Sequence, residues 1–138
     1  NYMTITQEPA MNDAPPLLSG ISQIALGSAD PGALAAWYRD VLGLAVLFEA
    51  GGMTFMQSGA TRLMIGPNHH GATIGGDTVI YFEPRDWSAA EAAFEARGIA
   101  FHHKAEILQR APGRELALRA FKDPEGHQLA LLGWRAAA

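Results

Sequence analysis

The chain has 138 residues, 49% of them hydrophobic and 17% charged, enough apolar material for one ordinary domain with a real core. A net charge of −4 argues against nucleic acid as a partner, which calls for a basic face, and no apolar run approaches the roughly 18–20 residues needed to cross a bilayer. The absence of cysteine removes disulfides, thiolate catalysis and Cys-ligated zinc, and with no signal-peptide pattern ahead of Arg39 the chain reads as cytoplasmic.

Residues 1–20 are rich in proline, and Pro15-Pro16 forbids a regular helix there. The expectation is a flexible N-terminal arm ahead of a single domain over 21–138. From Ile21 the pattern tightens into a first strand, with Ile24 and Leu26 separated by Gln23 and Ala25. Asp30 is a good helix N-cap and Pro31 sits at the first helical position, where no N–H is missed. Leu34, Trp37, Tyr38, Val41 and Leu42 recur at helical spacing, and Gly43 closes the helix. Strands follow at 45–49, 53–57 and 62–65, separated by Ala50-Gly51-Gly52 and Ser58-Gly59-Ala60, turns rich in residues that tolerate positive φ.

A glycine-rich linker over 67–77 leads to a second half that repeats the first. Gln23 falls on Val79, Asp30 on Asp86 and Tyr38 on Phe94 at one constant offset. A strand at 78–83 precedes a helix starting near Asp86 or Ser88; Ser88-x-x-Glu91 matches a capping box. Ala90, Ala93 and Phe94 face inward and Gly98 ends the helix. Strands at 101–108, 116–121 and 128–132 follow, with turns at Ala111-Pro112-Gly113 and Asp123-Pro124-Glu125-Gly126. The order β-α-β-β-β occurs twice, in modules of about 21–67 and 77–134. The expected fold class is α+β: two βαβββ modules forming a cup-shaped mixed β-sheet with helices on the outer face.

Trp37-Tyr-Arg-Asp-Val-Leu-Gly-Leu44, the twofold strand-to-Asp motif and Phe121-Lys-Asp-Pro-Glu-Gly-His127 together resemble the vicinal oxygen chelate superfamily. That group includes glyoxalase I, extradiol dioxygenases, fosfomycin-resistance transferases and bleomycin-resistance proteins. In metal-dependent members, the resemblance implies, ligands come from the first, fourth, fifth and last strands. Carried over one by one, those positions fall on Gln23, Met64, Val79 and Ala130. Only Gln23 has a ligand oxygen, Met64 offers a soft thioether, and Val79 and Ala130 offer nothing. Open catalytic sites generally need about three protein ligands, so no metal and no other cofactor is expected here. A rebuilt site would need Gln23, one of His102 or His103, and Glu106. His69-His70 falls in the linker, and His127 at the rim of the cup.

Period-two alternation assigns faces once Gln23 is placed on the concave side. Gln23, Arg62, Met64, Val79, Tyr81 and Ala130 then line the cup, joined by Glu83, Gln128 and Leu132. Arg119 and Phe121 share one face of their strand, and that face is assigned to the cup. Arg119 beside Glu83 reads as a possible ion pair. The lining is apolar with a few polar handles, suited to a medium-sized organic ligand. No residue is singled out as catalytic. The leading reading is a small-molecule binder resembling the bleomycin-resistance branch. The alternative is a metal-dependent lyase, isomerase or dioxygenase with a rebuilt ligand set. A homodimer is expected, since pairing covers exposed sheet edges.

Overall fold

A computed structural model describes residues 15–68, 71 and 73–138; the greater part of the expected arm and His69-His70 lie outside them. The element order is β1 (Gln23–Ser28), α1 (Pro31–Asp40), β2 (Ala45–Ala50), β3 (Met53–Ser58), β4 (Thr61–Pro67), β5 (Val79–Phe82), α2 (Trp87–Ala96), β6 (Glu106–Ala111), β7 (Arg114–Lys122) and β8 (Gln128–Ala136). The fold is α+β and open rather than barrel-like, two βαβββ modules each contributing a mixed sheet of four strands. The sheets run β1-β4-β3-β2 and β5-β8-β7-β6. In each, the first strand pairs in parallel with the last, and the other neighbours are antiparallel.

The internal repeat extends to fine detail. Asp30 and Asp86 both cap their helices, each carboxylate accepting the backbone N–H three residues on, at 3.2 Å from Ala33 and 3.0 Å from Ala89. Such a cap satisfies an amide that has no partner inside the helix. It also settles the start of α2: Asp86, not Ser88, is the cap. Even the irregularities repeat, with a register shift between Val46 and Phe48 in β2 and between Ile107 and Gln109 in β6.

Residues 101–105 depart from the expected strand, since β6 begins only at Glu106. His102 donates its backbone N–H to the Ala120 carbonyl at 3.0 Å, but both histidines sit in an irregular, exposed segment. The rule that neighbours in a strand face opposite ways therefore does not apply to them.

One face of each sheet packs on its helix. Leu63, Ile65 and Met56 meet Leu34, Ala35 and Tyr38 of α1, while Leu129, Leu131, Phe121 and Ala117 lie with Trp87 of α2, all in a single cluster. Phe94 of α2 packs against this cluster and stands 6.2 Å from Phe121, ring centre to ring centre. The core thus runs through both modules on their helix-bearing sides. The opposite faces are more open: Phe48 of β2 is 47% exposed and Tyr81 of β5 is 51% exposed.

Candidate functional site

Strand register decides which expected site residues share a face. Gln23 pairs with Arg62 and Ala25 with Met64 across the parallel β1–β4 ladder, so Gln23, Arg62 and Met64 lie on one side of the first sheet. Tyr81 pairs with Ala130 and Val79 with Gln128 across β5–β8, which puts Val79, Tyr81 and Ala130 together on one side of the second. In both modules this is the side turned away from the helices, because the intervening Ile24, Leu26, Leu63, Ile65, Ile80, Phe82, Leu129 and Leu131 belong to the helix-bearing core.

Arg119 and Phe121 are not on that side. Phe121 is 1% exposed and lies edge-on to Phe101, ring centres 5.5 Å apart. Arg119 forms a 2.7 Å ion pair with Glu91 of α2, donates to the His103 carbonyl at 2.8 Å and stacks over Phe101 at 4.4 Å. Both side chains hold the helix layer to β7, and the partner of Arg119 is Glu91 rather than Glu83. The cause is that β7 is apolar in both phases, so alternation alone could not orient it.

The register adds residues that the sequence reading passed over. Phe55 pairs with Met64 and with Phe48, so both rings sit beside Met64 and Arg62. They stack at 4.4 Å with an interplanar angle of 18°, and the Arg62 guanidinium carbon stands 5.4 Å from the Phe55 ring centre. The period-two spacing of Met53, Phe55 and Gln57 carried this signal; the shift between Val46 and Phe48 obscured it on β2.

The donor set does not fit a divalent metal. Gln23 Oε1, the one ligand oxygen at the positions the family resemblance implies, accepts a 3.0 Å hydrogen bond from Arg62 Nε. One of its two lone pairs is engaged by a positively charged guanidinium, which opposes cation binding. Among the described residues no group of three His, Cys, Asp or Glu side chains is placed to hold a metal ion. His102, His103 and Glu106 are all exposed. Between them the two open faces offer an amide, a guanidinium, thioethers and stacked rings in the first module and a phenol in the second, the means to bind and orient an organic molecule.

The two modules meet along a seam beside this face. Ile24 and Ile80 line clefts of about 570 and 330 Å³ along it. Tyr81 joins Phe82, Glu83 and Arg85 in the larger of these; Gln23, Arg62, Met64, Val79 and Ala130 line neither. A third cleft of about 710 Å³ runs from Leu44 to Phe94 and shares Phe82, Glu83 and Arg85 with the first. Arg97, just past α2, donates to the Val41 carbonyl at the end of α1 at 2.9 Å.

At the other end of the seam, polar groups replace apolar ones. The Tyr38 hydroxyl donates to Asp123 Oδ2 at 2.7 Å, and Tyr38 and Asp123 are 0% and 5% exposed. Burial, reinforced by the Asp123 charge and hydrogen bond, drives the Tyr38 phenol far above its ordinary value, so it stays a neutral donor. Glu125 accepts from the Ser28 hydroxyl at 2.5 Å and the Ala29 N–H at 2.8 Å. Desolvation pushes the Glu125 carboxyl upward, yet the bonds from Ser28 and the backbone, with the nearby His127, leave it below its usual value. His127 is buried within this joint rather than at a rim.

A family model described as Glyoxalase/Bleomycin resistance protein/Dioxygenase superfamily matches residues 20–131. No curated protein matches the sequence. Among solved structures, an integron cassette protein from the mobile metagenome of V. cholerae is 17% identical, with a TM-score of 0.72 over 87% of this chain and 98% of its own. Lactoylglutathione lyase from Agrobacterium tumefaciens is 22% identical, TM-score 0.65, over 86% and 96%. TnmS3, an antibiotic binding protein from Streptomyces sp. CB03234, is 16% identical, TM-score 0.66, over 86% and 98%. At such identities these likenesses establish the fold, which hosts both a lyase and a binder.

Proposed function

The chain belongs to the Glyoxalase/Bleomycin resistance protein/Dioxygenase superfamily, and from that membership we propose that it binds a small organic molecule without a metal ion. The site is the helix-free face, formed by Gln23, Arg62 and Met64 in one module and Val79 and Tyr81 in the other, with Ala130, expected there too, fully buried beside Tyr81. The observation that carries this reading is the Gln23–Arg62 hydrogen bond of 3.0 Å. A guanidinium stands where a metal-dependent relative would need an empty donor.

The stacked Phe48 and Phe55 beside Arg62 favour a planar, electron-rich or anionic ligand. Ring–ring contacts add about 0.5–1.5 kcal/mol each beyond burial, and a guanidinium contributes both charge and a flat stacking surface. The working form is a homodimer in the cytoplasm, with residues 1–20 as an arm and 21–138 as one ligand-binding domain. The exposed apolar groups on the open faces, Phe48 and Tyr81, support a second copy as their cover. That TnmS3, which shares the fold, is an antibiotic binding protein supports the choice of a binder.

Elemental analysis of chelator-free protein, run with a thermal-shift screen of aromatic acids with and without divalent metal, tests the reading. A ligand at 100 times its Kd stabilises by about 2.7 kcal/mol, roughly 10 °C for a domain of this size. The expected outcome is metal-independent stabilisation by an aromatic anion, lost in Arg62→Leu. Stoichiometric metal that survives purification, or ligand binding that requires it, overturns the proposal.

A further inference from the structure

The seam holds a buried imidazole whose two nitrogens both face oxygen. His127 Nδ1 lies 2.7 Å from Asp123 Oδ2, and Nε2 lies 3.0 Å from the carbonyl oxygen of Gly27. A carbonyl oxygen accepts hydrogen bonds and cannot donate. The Asp123 carboxylate is also an acceptor here: the Tyr38 hydroxyl reaches Oδ2, and the backbone N–H groups of Glu125 and His127 reach Oδ1 at 2.9 and 3.0 Å. A neutral imidazole has one N–H and one lone pair. In either tautomer it would set that lone pair against an oxygen 2.7 or 3.0 Å away, too close for a water to bridge. Only the ring protonated at both nitrogens satisfies every partner.

We infer that His127 is an imidazolium latch, a cation that ties β1 of the first module to the turn ahead of β8 in the second, and that loss of its Nε2 proton releases the tie. The groups around it fit the role. From its own turn it faces Asp123 and Glu125, with Glu125 feeling its charge. From α1 comes Tyr38, bonded to the same carboxylate oxygen; from β1 come the Gly27 carbonyl and Ser28. From the linker, Asp77 lines the same cleft as His127, along with Asn68 and Gln128. The charged groups named here, apart from the ring, are all acidic. The sequence motif Asp123-Pro124-Glu125-Gly126-His127 therefore does more than turn the chain: its last residue fastens the second module to the first, independently of whatever the open face binds.

The test correlates ring protonation with seam opening in the full-length protein. Nitrogen-15 spectra of the His127 ring are followed through a pH titration, together with amide hydrogen exchange at Ala29, whose N–H bonds to Glu125 across the seam. The amides of Glu125 and His127, bonded within the turn, serve as internal controls. The expected result is that both ring nitrogens carry protons while Ala29 is protected. As the Nε2 proton leaves, at whatever pH that occurs, exchange at Ala29 accelerates roughly tenfold or more, the factor for losing a hydrogen bond from a charged group, and the controls hold. In His127→Phe, Ala29 exchanges fast at every pH. A ring nitrogen without its proton while Ala29 is still protected, or protection unchanged through the titration, overturns the inference. If His127→Phe does not fold, the wild-type titration alone decides.

Discussion

Replacing Asp123 with alanine should cost about 3–5 kcal/mol of stability. The side chain is 5% exposed and accepts from the Tyr38 hydroxyl, the His127 ring and the amides of Glu125 and His127. Tyr38 is 0% exposed, so its hydroxyl cannot recover a bond from water, and an unsatisfied buried donor costs about 1–3 kcal/mol. The ring loses its charged partner as well, worth about 1.5–3 kcal/mol. The two amides belong to a turn whose Glu125 and Gly126 are half-exposed, and solvent offsets part of their loss. The total matches what breaking a buried charge pair from one side generally costs, about 3–5 kcal/mol. Urea denaturation monitored by tryptophan fluorescence reads it directly. With an m-value near 2 kcal/mol/M, the midpoint falls by about 2 M. Asp123→Asn keeps an oxygen for the two amides and should lose less than half as much. A midpoint change for Asp123→Ala equivalent to under 1 kcal/mol would show that the seam does not depend on this carboxylate.

Two further perturbations probe other parts of the fold. Because the Glu125 carboxyl sits below its ordinary value, the stability it contributes is present above the unfolded carboxyl range and is lost as pH falls through the folded value. Glu125→Gln should therefore flatten the acid limb of a stability–pH curve below about pH 4.5; an identical acid limb in the variant rules out the linkage. Gly75 has φ of +79° and a Cβ there would clash with the Gly126 carbonyl oxygen, whereas at Gly71, φ +62°, a Cβ would meet nothing within 4 Å among the described residues. Gly75→Ala should lower stability by more than about 2 kcal/mol and Gly71→Ala by only the 1–2 kcal/mol of a left-handed alanine. Equal midpoints for the two variants would contradict the packing of the linker on the β7–β8 turn.

The sequence carried the architecture well because its strongest signals are local. Asp30-Pro31 and Asp86 mark helix starts through a cap that needs only the next three residues, and both caps formed. The alternation in β1, β5 and β8 separates large apolar residues from small or polar ones, so the faces of Gln23 and Val79 followed from it. β7 is different: Leu116, Leu118 and Ala120 share one phase, Ala117 and Phe121 the other. Long-range partners oriented that strand, Glu91 drawing Arg119 toward α2 and Phe94 receiving Phe121. His102 and His103 looked like strand residues because of the flanking Phe101, yet the β6–β7 ladder begins only at Glu106–Leu118. His127 was misplaced for a similar reason. Its burial depends on Gly27 and Asp123 converging from different modules, which no spacing along the chain expresses.

Among the described residues, backbone ladders stop at the boundary between the two sheets. The join therefore depends on apolar contact and on a few bonds, from Ser28, Ala29, Tyr38, Arg97 and His127. Such a joint can be adjusted by single substitutions without disturbing either strand register. The angle between the halves, and hence the breadth of whatever they enclose, becomes a trait that evolution can vary in small increments while both folding units stay intact.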